Sequence, residues 1–418
     1  MSRPKTPPSQ ETITIAERLL TQTFGSTIRL DGGDNLLGSD RSKVYRFQVL
    51  GGQGNAPTSV IVKQANSTSD AAYDPNSATI PAWTLFNDWA ALQFLEQFTT
   101  SHTARLAPQF YCGDRASGLF IMEDLGSGKR LDQLLLGDDP LVAESALVEY
   151  AAVHGRLHAL TVGRQEEFLH QRKALGPVEY ETDYYDYTWL APTLDSTANL
   201  LDIVPQQGTD AELATLTATL LNPGPFFAFN QGDSCPDNCI YPDMVPLNNV
   251  RPDHIRETGQ AKMGMPSLSL LDFEGSKFKH ALVEGVYGRM HFPTCWCVYR
   301  LPEHLPLRME AAYRAELIKG CPAAADDTLF YHAVAEACAL WMLDWYHEFP
   351  LATLLEKDRM IVTSTVRQRL LARSEILAQV TEEIGHMEAI GATVRAIATK
   401  LRTYWPEMEP LPYYPAFR

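Results

Sequence analysis

Between Asn230 and Asn238 a carboxylate, Asp233, and a carboxamide, Asn238, stand five residues apart in a segment rich in turn formers, Gln231-Gly232-Asp233-Ser234-Cys235-Pro236-Asp237. Phe226, Phe227 and Phe229 precede it, and Ile240 and Tyr241 follow. A loop held by apolar chain at both ends can aim its side chains. A second apolar run, Leu268 to Leu271, ends in Asp272-Phe273-Glu274-Gly275 and so offers another carboxylate at a strand end. One carboxylate to orient and deprotonate a hydroxyl, with an amide and a carboxylate oxygen to hold Mg²⁺ on nucleotide phosphates, is what phosphoryl transfer asks of a protein.

The chain around these residues is large enough to position them. Its 418 residues, 45% hydrophobic and 21% charged, allow two lobes with a sizeable core. The 51 acidic against 35 basic residues give a formal charge of -16, which disfavours nucleic acid or an anionic membrane as partner and leaves a cationic or neutral substrate the better fit. The N-terminal stretch lacks the apolar centre of a signal peptide and no run approaches a membrane span, which reads as cytoplasmic. Seven cysteines scattered over the chain read as reduced thiols rather than a disulfide framework. Cys235/Cys239 and Cys295/Cys297 lack the two-residue gap usual for zinc.

Taken in order, Thr14 and Glu17 have capping-box spacing, and Ile15, Leu19, Leu20 and Phe24 recur at helical intervals. Tyr45, Phe47 and Val49 alternate with polar residues, Gly51 to Asn55 supplies a turn, and Ser59 to Lys63 completes an antiparallel hairpin. Leu85, Trp89, Leu92 and Leu95 form one stripe of a helix, with Asp88 on its border. Leu119 to Met122 is a short buried strand. From Ala281 onward the chain is mainly helical, interrupted by an aromatic break at Met290 to Arg300.

The Gln231-Gly232-Asp233 and Asn238 pattern resembles the catalytic loop of the aminoglycoside phosphotransferase and choline kinase family, small-molecule relatives of the protein kinases, whose loop reads His-Gly-Asp, four residues, then Asn. Gln231 stands where that family has histidine. Asp272-Phe273-Glu274 is similar to its second, metal-binding motif. The resemblance spans about residues 25 to 300 and implies an α+β, bilobal protein-kinase-like fold, with an antiparallel-sheet lobe over 1–122, a hinge at 123–126 and a mainly helical lobe over 127–418. It implies ATP and Mg²⁺ as cofactors, and transfer of the γ-phosphate to a hydroxyl of an amino sugar, aminoglycoside, amino alcohol or sugar-like molecule. Asp233 is then the base, and Asn238 and Asp272 hold the metal. Lys63 contacts the nucleotide phosphates, with Asp88, where the family has Glu, as its partner and Glu96 as the alternative. The carbonyl of Glu123 and the amide of Leu125 take the adenine ring. Leu37 to Ser42, with one glycine, falls where a phosphate-covering loop lies. His154 and His158 on one helical stripe read as hydrogen-bonded core residues rather than metal ligands. Asp326, Asp327, Glu336 and Asp344 with Trp296, Trp341 and Trp345 offer an acidic, aromatic wall for an amine, against the plainer reading of core tryptophans and solvated carboxylates. The different-class alternative is a catalytically silent protein that binds nucleotide or a partner.

Overall fold

The computed structural model describes residues 6–36, 41–67, 72–99, 105–178, 186–241 and 268–418. Helix α1 (Gln10–Phe24) opens the fold. It starts a turn earlier than the Thr14 to Glu17 spacing predicts, because the side chain of Ser9 caps it by accepting from Thr12 N at 3.1 Å. Strands β1 (Ile28–Asn35), β2 (Ser42–Gly51) and β3 (Ser59–Ala65) follow. After α2 (Ala82–Glu96) come β4 (Phe110–Asp114) and β5 (Leu119–Glu123), giving a sheet in the order β1-β2-β3-β5-β4 whose neighbours are all antiparallel. The β2–β3 hairpin is where alternation predicts it, with Tyr45 and Phe47 buried against α1. β1 escapes a pattern reading because Asp31-Gly32-Gly33-Asp34 resembles a turn; its register shifts between Gly32 and Asp34. Lys63 lies inside β3 rather than closing it, two residues before the strand ends.

Helix α2 is not one-sided as its stripe suggests. Nearly every residue from Ala82 to Leu95 is buried, Asn87 and Asp88 included. A helix hydrophobic almost all round belongs inside the core, and its few polar side chains must find partners there.

The remainder is mainly helical. Helices α3 (Leu131–Leu135), α4 (Pro140–Thr161), α5 (Gln165–Leu175), α6 (Leu190–Asn199) and α7 (Thr209–Leu221) lead to strand β6 (Phe227–Asn230). The short pair β7 (Cys239–Ile240) and β8 (Ser269–Leu270) flanks the residues outside the description, which include most of the Tyr241 to Pro266 connection. Strand β9 (Lys277–His280) pairs with β6, joining Asn230 to Lys277 and Ala228 to Lys279. Then α8 (Leu282–Gly285), α9 (His304–Leu317), α10 (Asp327–Glu348), α11 (Leu351–Glu356), α12 (Val366–Ile384) and α13 (Glu388–Tyr404) build one large core with α2 and α4. The C-terminal stretch docks more deeply than a surface tail: Tyr414 is buried and its hydroxyl donates to Cys297 O at 2.8 Å. Among the described residues no helix is long and apolar enough to cross a membrane.

Candidate active site

A cleft of about 680 Å³ opens between the sheet and the helical part, and it is lined by Lys63, Asp88, Glu123, Leu125, Asp233, Asn238 and Asp272. All seven residues singled out from sequence therefore face one cavity, of the size that takes a small ligand. Of the phosphate-covering loop, residues 37–40 lie outside the description, while Ser42 lines the cleft and Arg41 ion-pairs with Glu274 at 2.7 Å.

Lys63 is buried inside β3, and its ammonium meets Asp88 of α2 at 2.6 Å and Asp272 at 2.8 Å, with Glu274 at 3.8 Å. Asp88, not Glu96, is its helical partner; Glu96 pairs with Arg105 at 3.5 Å. The other Asp88 oxygen accepts from Phe273 N at 3.1 Å, so α2 lies close against the turn that follows Asp272. Asn87 completes that grip by donating to Ser276 O at 2.7 Å and Glu274 O at 3.1 Å. Burial alone would lower the pKa of Lys63, but the charges of Asp272, Asp88 and Glu274 outweigh it and hold the ammonium protonated well above its usual range. Burial, then Asp272, pushes the Glu274 carboxyl up to about 7. Three carboxylates around Lys63 and Arg41 leave an excess of negative charge, and Asp272 holds its side chain 36% exposed at the cleft on a left-handed backbone, φ 58. These carboxylates gather on the Lys63 ammonium, and among the described residues no group of three or more His, Cys, Asp or Glu is placed to hold a metal ion.

The loop from Gln231 to Asn238 is braced from below. Gln231, fully buried, donates to Leu271 O at 2.6 Å and to Asn238 O at 3.3 Å, while its carbonyl oxygen faces His154 Nε2 at 3.0 Å. It thereby ties the loop to the segment between β8 and Asp272. Glu284 of α8, 3% exposed, accepts from Gln231 N at 3.0 Å, Gly232 N at 2.7 Å and His158 Nε2 at 3.2 Å. Burial opposes its charge, but these donors and the nearby Lys279 hold its carboxyl well below the usual range. His154 and His158 are thus the hydrogen-bonded core residues the stripe predicts. Gly232 has φ 98, and a Cβ there would fall 2.2 Å from Gly275 C and O, so only glycine lets the two loops meet.

At the mouth, Asp233 receives Asn238 Nδ2 on Oδ2 at 3.1 Å and Thr294 Oγ1 on Oδ1 at 3.3 Å. Asp233 is exposed and both oxygens stay reachable; desolvation by the neighbouring protein, then Asp237 and Asp272, pushes the carboxyl up to about 6. The amide nitrogen of Asn238 is spent on Asp233, donating to its Oδ2 and to its main-chain oxygen. Thr294 belongs to the Met290 to Arg300 break, which two buried arginines of α12 hold. Arg373 donates to Met290 O at 2.9 Å and His291 O at 3.2 Å, and Arg369 to Cys295 O and Trp296 O, both at 2.9 Å.

The cysteines correct the expectation of free thiols throughout. Cys235 and Cys295 are disulfide-bonded, tying the catalytic loop to the Thr294 segment, while Cys112, Cys239, Cys297, Cys321 and Cys338 are free. Most of the expected amine wall is engaged otherwise: Asp326 caps α10, Asp327 pairs with Arg314, Glu336 accepts from His386, and Trp341 and Trp345 are core, while Asp344, half-buried, makes no ion pair among the described residues. Trp296, partly exposed, donates to Asp237 at 2.8 Å. The sequence between Tyr180 and Trp189 is crowded with Tyr180, Tyr184, Tyr185 and Tyr187, and of it residues 180–185 lie outside the description.

Glu284, Asn87, Thr294 and Asp237 are the contributors that sequence reasoning missed. Only Asp237, inside the loop itself, carried a local signal.

No family model matches the chain, and no curated protein matches it. Solved structures similar to it include choline kinase LicA from Streptococcus pneumoniae, 11% identical, covering 88% of this chain and 100% of that one with a TM-score of 0.38. Macrolide 2'-phosphotransferase MphH from Brachybacterium faecium, also 11% identical, covers 80% of this chain and 93% of its own at 0.37. The amicoumacin kinase hAmiN, in complex with AMP-PNP, Ca²⁺ and Ami, is 11% identical over 90% of this chain and 93% of its own, at 0.39.

Proposed function

We propose that the protein transfers the γ-phosphate of ATP to a hydroxyl of a small molecule, with residues 1–122 as the nucleotide-covering lobe, 123–126 as hinge and 127–418 as the helical lobe. The observation that carries this reading is the ion pair of Lys63 with Asp272, 209 positions apart in sequence and joined at 2.8 Å in the cleft that also holds Asp233 and Asn238. Glu123 and Leu125 offer main-chain groups at its rim for the adenine ring.

In this reading Asp233 takes the proton of the acceptor hydroxyl. Thr294 and Asn238 each hold one of its oxygens, which fixes the plane of the carboxylate, and a pKa near 6 leaves it ionised yet basic enough at neutral pH. Lys63 presents its ammonium to the nucleotide phosphates, steadied from behind by Asp88. Asp272 and the carbonyl oxygen of Asn238 would hold Mg²⁺, which supplies neutralisation of the charge developing on the phosphoryl oxygens. Gln231 keeps the loop in register through a donor and an acceptor, the two roles its replacement of histidine requires, which weighs for turnover over the silent alternative.

The test is a thermal-shift titration with Mg-ATP on wild type and Lys63→Met. Wild type is expected to be stabilised, by about 2.7 kcal/mol at a hundredfold excess over Kd, and the variant to need far more ligand. Equal stabilisation of both contradicts the assignment of the phosphate site.

A further inference from the structure

The seven cysteines make one bridge and five free thiols, and the bridge stands beside Asp233. Cys235 follows Asp233 by two residues, and Cys295 directly follows Thr294, whose hydroxyl donates to Asp233 Oδ1 at 3.3 Å. The two segments are anchored separately. Glu284 accepts from Gln231 N and Gly232 N, and the Tyr150 hydroxyl donates to Ser234 O at 2.6 Å, while Arg369 and Arg373 hold the carbonyls of Met290, His291, Cys295 and Trp296. Besides the bridge, the Thr294 contact and the bond from Trp296 Nε1 to Asp237 Oδ2 at 2.8 Å run between them, both among exposed side chains where water competes. Two sulfurs that are no longer bonded need van der Waals room, so opening the bridge spreads the two segments by on the order of 1 Å. A displacement of that size costs a reaction about 10²-fold.

We infer that the Cys235–Cys295 bridge is a redox switch on turnover: closed, it keeps Asp233 seated against Thr294, and a dithiol that opens it slows phosphotransfer while the nucleotide stays bound. This rests on the phosphotransferase reading of the same cleft. A thiolate of the dithiol attacks one sulfur of the bridge, forms a mixed disulfide and releases the other sulfur as a thiolate. The second thiol of the reagent then displaces the remaining cysteine and closes its own disulfide, so two electrons and two protons pass to Cys235 and Cys295. Both cysteines are buried, but exposed residues adjoin them, Asp233 and Thr294 at the mouth and Trp296 beyond Cys295, so a local opening there admits a reductant. The other thiols do not compete: burial pushes Cys112, Cys239, Cys297, Cys321 and Cys338 up, which keeps them protonated and poor nucleophiles. Lys63 and Asp88 are held by their ion pair and by the β3–β5 ladder, which the bridge does not touch, so ATP binding is spared.

The test follows the full chain through reduction by dithiothreitol and reoxidation, with thiols counted after denaturation. Oxidised protein should show five thiols and reduced protein two more. Mg-ATP-dependent ADP release with a pooled acceptor panel should lose kcat about 10- to 100-fold on reduction, with KM for ATP and stabilisation by Mg-ATP unmoved, and recover on reoxidation. The double variant Cys235→Ser with Cys295→Ser should sit at the reduced rate and ignore the dithiol. Unchanged kcat once the two further thiols are counted overturns the switch. So does a chain that shows all seven thiols under oxidising conditions, or a double variant that slows on reduction as wild type does. Should the double variant not fold, or no acceptor be turned over, hydrogen exchange of the wild type decides. Reduction must raise exchange in the peptides covering Gln231 to Asn238 and Met290 to Arg300 and leave the Ser59–Ala65 strand unmoved; equal exchange in both states overturns the inference. Failure of Mg-ATP to stabilise either form removes the phosphotransfer reading and this inference with it.

Discussion

Replacing Glu284 by glutamine probes the brace under the catalytic loop with almost no change of shape. The carboxylate accepts three hydrogens: Gly232 N at 2.7 Å on one oxygen, and Gln231 N at 3.0 Å and His158 Nε2 at 3.2 Å on the other. Glutamine has one acceptor oxygen, so its cheaper orientation keeps the second pair and turns an NH₂ group toward Gly232 N. One hydrogen bond to a charged group is lost and one buried donor is left facing another donor. Those two losses amount to about 2–4 kcal/mol. The pH dependence has a definite sign. Because folding depresses the Glu284 pKa below its ordinary value of 4.5, its contribution is complete above about pH 4.5 and fades as pH falls through the folded value. Urea denaturation should therefore show the full gap between wild type and Glu284→Gln at pH 7 and a shrinking one below pH 4.5. Acceptor-dependent ADP release should lose kcat more than it raises KM for ATP, since Lys63 and the hinge are held by other elements. A gap below about 1 kcal/mol at pH 7, or one indifferent to pH, refutes the brace.

Two further outcomes follow from the same geometry. Gly232→Ala would push a Cβ to 2.2 Å from Gly275 C and O at φ 98, and a melting experiment should register a loss of about 2–5 kcal/mol from backbone strain and overpacking; a wild-type melting temperature would disprove the close approach of the two loops. In the proposed reaction Asp233 works ionised, so kcat/KM should rise with pH through an inflection near 6, and Asp237→Asn, by removing one of the charges that raises it, should move that inflection down; a profile left in place by the substitution argues against Asp233 as the titrating base.

Much of the cleft could be read from the chain because its parts are local patterns. A β-branched strand places Lys63, a helical stripe places Asp88 on its border, and loop spacing sets Asp233 against Asn238. Each is short-range, and the sheet and helices that join them follow from ordinary periodicity. What escaped depends on elements distant in sequence. Glu284 sits in a four-residue helix whose pattern says nothing of the loop 52 positions upstream that it holds. Thr294 reaches Asp233 from a segment whose carbonyls Arg369 and Arg373, more than 70 residues further on, hold, and which the Cys235–Cys295 disulfide ties to the loop. The disulfide joins cysteines 60 positions apart, a pairing that spacing does not encode. The aromatic and acidic residues of α10 misled for the converse reason: the same stripe serves a core helix or a binding wall, and only the capping and ion-pair partners decide between them.

The most direct check of phosphotransfer in this cleft is Mg²⁺-dependent ADP formation from ATP, stimulated by a pooled acceptor panel, in wild type and Asp233→Ala. Asp233 positioned between Thr294 and Asn238 as general base calls for a loss of about 10² to 10⁴ in the variant, with Mg-ATP still stabilising it against heat. Turnover by Asp233→Ala equal to that of wild type would contradict the assignment of the reaction to this loop.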